Sequence, residues 1–159
     1  MTIQGGAIAS KNGKFFERKV IELLVQKGFF EIQGKLKKRI TTSRLKDVNG
    51  GMAWVSQQVR GKYKNLYGGK MVCDIVGYHP SIPNGFIMEM KTQNKQGSVD
   101  EKYAFTTLSL KKLNPLTIIV FEGEGAKPEA VKWMKSQADI NHKFMNFYSA
   151  STWLDELFN

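Results

Sequence analysis

MVCDIVGYHPSIPNGFIMEMK, residues 71–91, is the stretch on which the reading of this chain turns. Met71–Tyr78 is apolar and β-branched and reads as a strand. HPSIPNG (79–85) holds two prolines and the pair Asn84-Gly85, which is turn chemistry. Phe86–Lys91 reads as a second strand, antiparallel to the first. Side chains two apart on a strand share a face, so Met88 and Met90 lie on one side and Glu89 and Lys91 on the other. Asp74 is the lone charge in its apolar run. Pairing across the turn can bring it near Glu89, although the spacing leaves the register open.

Outward from the hairpin the chain alternates helix and strand. KFFERKVIELLVQK (14–27) has helical periodicity, with Phe16, Val20, Leu23 and Leu24 in one apolar stripe and Gly28 as its stop. Residues 1–12 read as a loose start. After the hairpin, Ser98-Val99-Asp100-Glu101 matches a capping box and predicts a helix from Val99 to about Lys112. LTIIVF (116–121) reads as a buried strand, followed by helices over 128–137 and 152–158. Residues 35–70 are rich in Lys, Arg, Gly and Asn and read as a basic insertion or long loop, with room for a short helix over 52–60. The pattern predicts a single mixed α/β domain over residues 1–159.

The 24 Lys and Arg against 14 Asp and Glu leave a net charge of +10, which suits a polyanionic partner, nucleic acid above all. The basic residues cluster: Lys35, Lys37, Lys38, Arg39, Arg44 and Lys46, then Arg60, Lys62 and Lys64. Trp54, Tyr63 and Tyr67 are interleaved with the second group and are read equally as base-stacking or as packing residues. Cys73 is the only cysteine, so neither an internal disulfide nor a CxxC zinc pair exists. No apolar run reaches membrane-spanning length, and the start lacks a signal-peptide pattern. The expectation is a cytoplasmic, soluble protein with no membrane partner.

Two carboxylates held together repel each other, and a divalent cation relieves the repulsion. Mg²⁺ takes one or two carboxylates, with waters and phosphate oxygens completing its shell. A lysine beside it can hold a water and neutralise a phosphate. Those are the needs of phosphodiester hydrolysis. Asp74, Glu89 and Lys91 therefore form the candidate constellation. Glu17 joins it, because it sits at the edge of the apolar stripe, where a carboxylate needs a partner.

Asp74 followed by Glu89-Met90-Lys91 resembles the PD-(D/E)xK nuclease superfamily, in which an acid in one strand precedes (D/E)-x-K in the next. Glu17, in GKFFERKVIELL, matches the acid that an upstream helix often supplies. KTQNKQGSVDEKY resembles the segment after the motif in restriction-type and resolvase-type members, with Gln93 two residues past the lysine. The likeness covers residues 13–27 and 71–121. Cys73 stands before Asp74 where the family pattern has proline.

The resemblance implies a restriction-endonuclease-like mixed sheet flanked by helices. It implies Mg²⁺, with Mn²⁺ as a substitute, bound by Asp74 and Glu89 with the Met90 carbonyl as a further ligand. Lys91 would position or activate the attacking water. Glu17 would orient the site or help a second metal, and Gln93 would complete it. The expected partners are double-stranded DNA and further copies of the chain, as a homodimer or homotetramer. The basic segment, Ser98 and Lys102 are the expected DNA contacts. The leading reading is a sequence-specific endonuclease of restriction or homing type. A junction resolvase and a non-catalytic nucleic-acid-binding module stand as alternatives. The binding module leaves unexplained why two carboxylates would face DNA.

Overall fold

A computed structural model describes residues 2–93 and 100–159. In chain order the strands are β1 (Phe30–Glu31), β2 (Trp54–Lys64), β3 (Lys70–His79), β4 (Ile82–Thr92), β5 (Leu116–Glu122) and β6 (His142–Met145). The helices are α1 (Thr2–Gln26), α2 (Lys38–Thr42), α3 (Asp100–Lys111), α4 (Pro128–Ser136) and α5 (Phe147–Leu157). The six strands form one sheet in the order β1-β2-β3-β4-β5-β6. β2, β3 and β4 are antiparallel, and the outer pairs β1–β2, β4–β5 and β5–β6 are parallel.

Each face of the sheet carries its own core. Val20, Ile21 and Leu24 of α1 and Ala150 and Leu154 of α5 pack on Ile75, Phe86, Met88 and Ile118. Ile40, Leu45, Val48 and Leu110 cover Trp54, Cys73, Val76 and Ile87 on the other face. The result is the expected mixed α/β fold with a helix-flanked sheet. No helix among the described residues is long and apolar enough to cross a membrane.

The hairpin reading holds for its strands and not for its turn. β3 and β4 are joined at Pro80–Ser81, and Asn84-Gly85 lies inside β4. Gly85 has φ +73°, and the register shifts between Gly77 and His79, so the turn-forming pair makes an irregularity within the strand. A Cβ on Gly85 would stand 2.7 Å from the Gly77 carbonyl oxygen, so close backbone approach requires glycine there.

Residues 35–70 need the largest correction. In place of a loop or a short helix over 52–60, residues 54–64 form β2, a strand inside the sheet. Trp54 is 0% exposed, and its Nε1 donates to the Leu45 carbonyl at 2.7 Å. Two 3₁₀ turns (Gly34–Lys37 and Leu45–Asp47) and α2 bury Ile40, Leu45 and Val48 beneath it. Much of this basic segment is thus core, with charge on its outer side.

Other elements differ at their bounds. α1 extends back to Thr2 through residues read as a loose start. α5 begins at Phe147, capped by Asn146 Oδ1, which accepts from Ser149 N–H at 2.8 Å. β6 was not read from the sequence at all. Ser98, and with it the capping box, lies outside the described residues.

Candidate active site

Asp74 is where the β3–β4 ladder changes character. Closer to the turn, Ile75 pairs with Met88 and Val76 with Ile87. At Asp74 side chains take over the bonding. The Asp74 backbone N–H donates to Glu89 Oε1 at 3.2 Å, and Met90 N–H donates to Asp74 Oδ2 at 2.8 Å. Backbone donors thereby hold both carboxylates.

Glu89 is 4% exposed, on the strand between β3 and β5. Burial, then the neighbouring Asp74 charge, pushes its carboxyl up to about 8, while Lys91 opposes the shift. Lys91 Nζ stands 3.6 Å from Glu89 Oε2, with its side chain partly exposed. Glu17 reaches the same place from α1 and is 3% exposed. Its Oε2 accepts from Gln57 Nε2 at 2.8 Å and its Oε1 from Gln58 Nε2 at 2.7 Å. Gln58 Nε2 also lies 3.2 Å from Asp74 Oδ1. Burial chiefly, with the Asp74 charge assisting, pushes the Glu17 carboxyl up to about 7.

Glu17, Gln58, Asp74 and Lys91 face an open cleft of about 450 Å³, lined also by Lys14, Met90, Lys102 and Tyr103 among others. Lys91 also borders a smaller cavity of about 190 Å³, where Glu89 meets Phe105, Thr106 and Ser109. The lysine therefore borders both spaces, the cleft that Asp74 lines and the smaller cavity that Glu89 lines. Three carboxylates crowd together, two of them poorly solvated, and only one lysine pairs with them in the described contacts.

Such a donor set suits a hard divalent cation, which takes oxygen ligands and offsets the clustered charge. No group of three His, Cys, Asp or Glu side chains is gathered tightly enough among the described residues to hold a metal by itself. One or two carboxylates, completed by water and phosphate, are enough for Mg²⁺. Asp74 and Glu89 fit that need.

A family model described as a PD-(D/E)XK nuclease superfamily domain matches residues 8–157. The chain belongs to the PD-(D/E)XK nuclease superfamily. No curated protein and no solved structure matches it. The match runs through β2 and the basic segment, where the sequence reading found no counterpart, and through the C-terminal helices as well. Membership makes this a nuclease fold acting on nucleic acid, in a family that generally uses divalent metals.

At this candidate site the structure places Asp74, Glu89, Lys91 and Glu17 together, with Met90 beside them. Lys102 lines the cleft. Gln93 is placed differently: it is buried, its Nε2 donates to the Gly125 carbonyl at 3.2 Å, and its Oε1 accepts from the Tyr103 hydroxyl. It braces Tyr103, a wall of the cleft. Cys73 and His142 form no catalytic pair, since Cys73 is buried in the core of the opposite face and His142 lies three strands away, bonded to Thr117.

The basic candidates divide. Lys35, Lys38, Arg39, Arg44, Lys46, Arg60 and Lys64 are exposed. Arg44 pairs with Asp47 at 3.3 Å. Lys37 and Lys62 are half-buried and turn to backbone instead: Lys37 Nζ donates to the Gln57 and Gln58 carbonyls, and Lys62 Nζ to the Ser43 carbonyl at 2.7 Å. Desolvation lowers the pKa of both lysines. Trp54 is a packing residue, while Tyr67 is 85% exposed beside Phe105, ring centroids 5.3 Å apart. Sequence reading missed Gln57, Gln58 and Lys14. A pair of glutamines between Val55 and Val59 was the available signal.

Proposed function

We propose that this protein is a metal-dependent DNA endonuclease, and that Asp74, Glu89 and Lys91 carry its chemistry. The observation behind this reading is the open end of the β3–β4 hairpin, where Asp74 and Lys91 face a cleft and Glu89 is tied to both, accepting from the Asp74 backbone N–H and pairing with Lys91 Nζ. Mg²⁺, with Mn²⁺ as a substitute, would be held by Asp74 and Glu89 with the Met90 carbonyl as a further ligand, and would supply charge neutralisation at phosphorus and a more acidic water. Lys91 donates to the attacking water and to a phosphate oxygen. Glu17 orients Asp74. Gln93 acts through Tyr103. Lys14 and Lys102, on the cleft walls, meet the flanking phosphates.

The partner is double-stranded DNA. The exposed residues Lys35, Lys38, Arg39, Arg44, Lys46, Arg60 and Lys64 supply its electrostatic grip. We read the chain as one domain in a cytoplasmic protein that works as a homodimer or homotetramer, because two strand cuts need two sites. Sequence-specific cutting is favoured because so much charge lies outside the cleft.

The test is cleavage of supercoiled plasmid, a four-way junction and single-stranded DNA, with Mg²⁺ and with EDTA, for wild type and Lys91→Ala. Cutting of plasmid at defined sites, lost with EDTA and in the variant, is the expected result. Preference for the junction would make the protein a resolvase. Tight DNA binding without cleavage, even on long native sequence, would leave a binding module.

A further inference from the structure

We propose that Gln58 is a positioning residue of this active site, held in a left-handed backbone conformation so that its amide ties Glu17 to Asp74. The inference rests on the nuclease reading and adds to it a component in β2. Gln58 has φ +53°, and it is the one non-glycine residue with positive φ among the described residues. That region disfavours a side chain with Cβ, so surrounding contacts must maintain it.

The surroundings show what the conformation accomplishes. Gln57 pairs with Ile75 and Val59 with Cys73, which sets Gln58 opposite Asp74 with no residue inserted. In a regular strand Gln57 and Gln58 would point to opposite faces. Here both amides reach the carboxylate of Glu17, at 2.8 and 2.7 Å. The faces are exchanged around this point: Val55 packs in the core under α1, while Val59 packs in the core of the other face. The left-handed residue is thus the hinge of a face switch that delivers two neighbouring side chains to one acid.

A single amide nitrogen has two hydrogens, and Gln58 directs them to Glu17 Oε1 and Asp74 Oδ1. Asp74 Oδ2 is already occupied by Met90 N–H. Gln58 therefore completes the orientation of Asp74 and separates it from Glu17. From behind, Lys37 Nζ clamps the carbonyls of Gln57 and Gln58. The clamp gives this basic residue a role that does not involve DNA.

The test compares wild type with Gln58→Gly, Gln58→Asn and Lys37→Met. Glycine adopts positive φ freely, and Asn tolerates it while shortening the amide by one methylene. Melting temperatures establish that each variant is folded, so a variant that fails to fold is set aside for the other. Single-turnover cleavage by Gln58→Gly and Gln58→Asn is expected to fall by about 10–100-fold, the usual cost of losing a group that orients a ligand. DNA affinity in EDTA should stay within about twofold, which places the loss after binding. Cleavage within about threefold of wild type by a folded Gln58 variant overturns the proposal.

Wild type that cuts nothing would sink the nuclease reading, and Mn²⁺ calorimetry then judges Gln58 separately. Affinity at least about tenfold weaker in Gln58→Gly supports the positioning role. Equal affinity, or no binding by wild type, overturns it. For Lys37→Met the expected result is slower cleavage with unchanged salt dependence of DNA binding. Weaker binding with a shallower salt slope would assign Lys37 to a phosphate and remove the clamp.

Discussion

The two halves of the β3–β4 hairpin use the same pair of strands for opposite ends. Toward the turn, Ile75 faces Met88, Val76 faces Ile87 and Gly77 faces Phe86, all buried. Toward the open end, Asp74 N–H and Met90 N–H are bonded to carboxylates. The first half stabilises by burial of apolar area and regular bonding. The second holds like charges together in a poorly solvated place, which destabilises the fold. The proposed active site uses that arrangement, and the apolar half, together with both cores, holds it in place.

The sharpest way to break this comparison is substitution at the open end. Lys91→Ala and Asp74→Asn should each lower cleavage by about 10³-fold or more while DNA binding in EDTA persists. Single-turnover assays and a binding titration read both. A matching loss of binding would contradict the division of labour. In the apolar half, Ile75→Ala should lower unfolding free energy by about 2–5 kcal/mol, read by urea denaturation. Its folded fraction should still cut at the wild-type rate.

Glu89→Gln tests the charge cost with a definite sign. Between about 4.5 and about 8 the folded protein keeps a proton on Glu89 that the unfolded chain has released. Wild-type stability therefore falls as pH rises through that window and levels above it. The variant should melt several degrees above wild type at pH 8 and level with it near pH 4.5, by calorimetry without metal. A variant less stable at pH 8 would show that the buried charge is better compensated than its neighbours indicate. The smallest effects belong to the basic segment. Lys46→Ala should weaken DNA binding and reduce the salt slope by about 1. Lys62→Ala should instead cost about 1 kcal/mol of stability, through its lost bond to the Ser43 carbonyl, with the slope unchanged.

The open end was legible in the sequence because its signals are local. A charge in an apolar run and a period of two placed Asp74, Glu89 and Lys91, and the 3.6-residue period of α1 placed Glu17 at the stripe's edge. β2 was not legible, and Gln58 explains why. Its left-handed backbone sends Val55 and Val59 to opposite faces of the sheet, and two valines four apart imitate a helical stripe. Asn84-Gly85 misled in a similar way: its conformational preference is used inside β4 instead of at the turn. Lys37 and Lys62 could not be separated from the proposed DNA-contacting lysines by sequence, since their carbonyl partners are brought close by the packing of distant segments.

The sheet order β1-β2-β3-β4-β5-β6 also has a consequence for synthesis. Each strand pairs with the one made just before it, so the sheet can grow in the direction of translation. Glu17, Gln58, Asp74, Glu89 and Lys91 have all emerged once β4 is complete. β5 is then still to be made, and β4 from Phe86 to Thr92 presents the edge on which it will pair. The nascent chain at that stage carries all five residues of the proposed site beside an unpaired apolar edge, the kind of edge on which chains aggregate. The arrival of Leu116–Glu122 closes that edge and protects the site in one step.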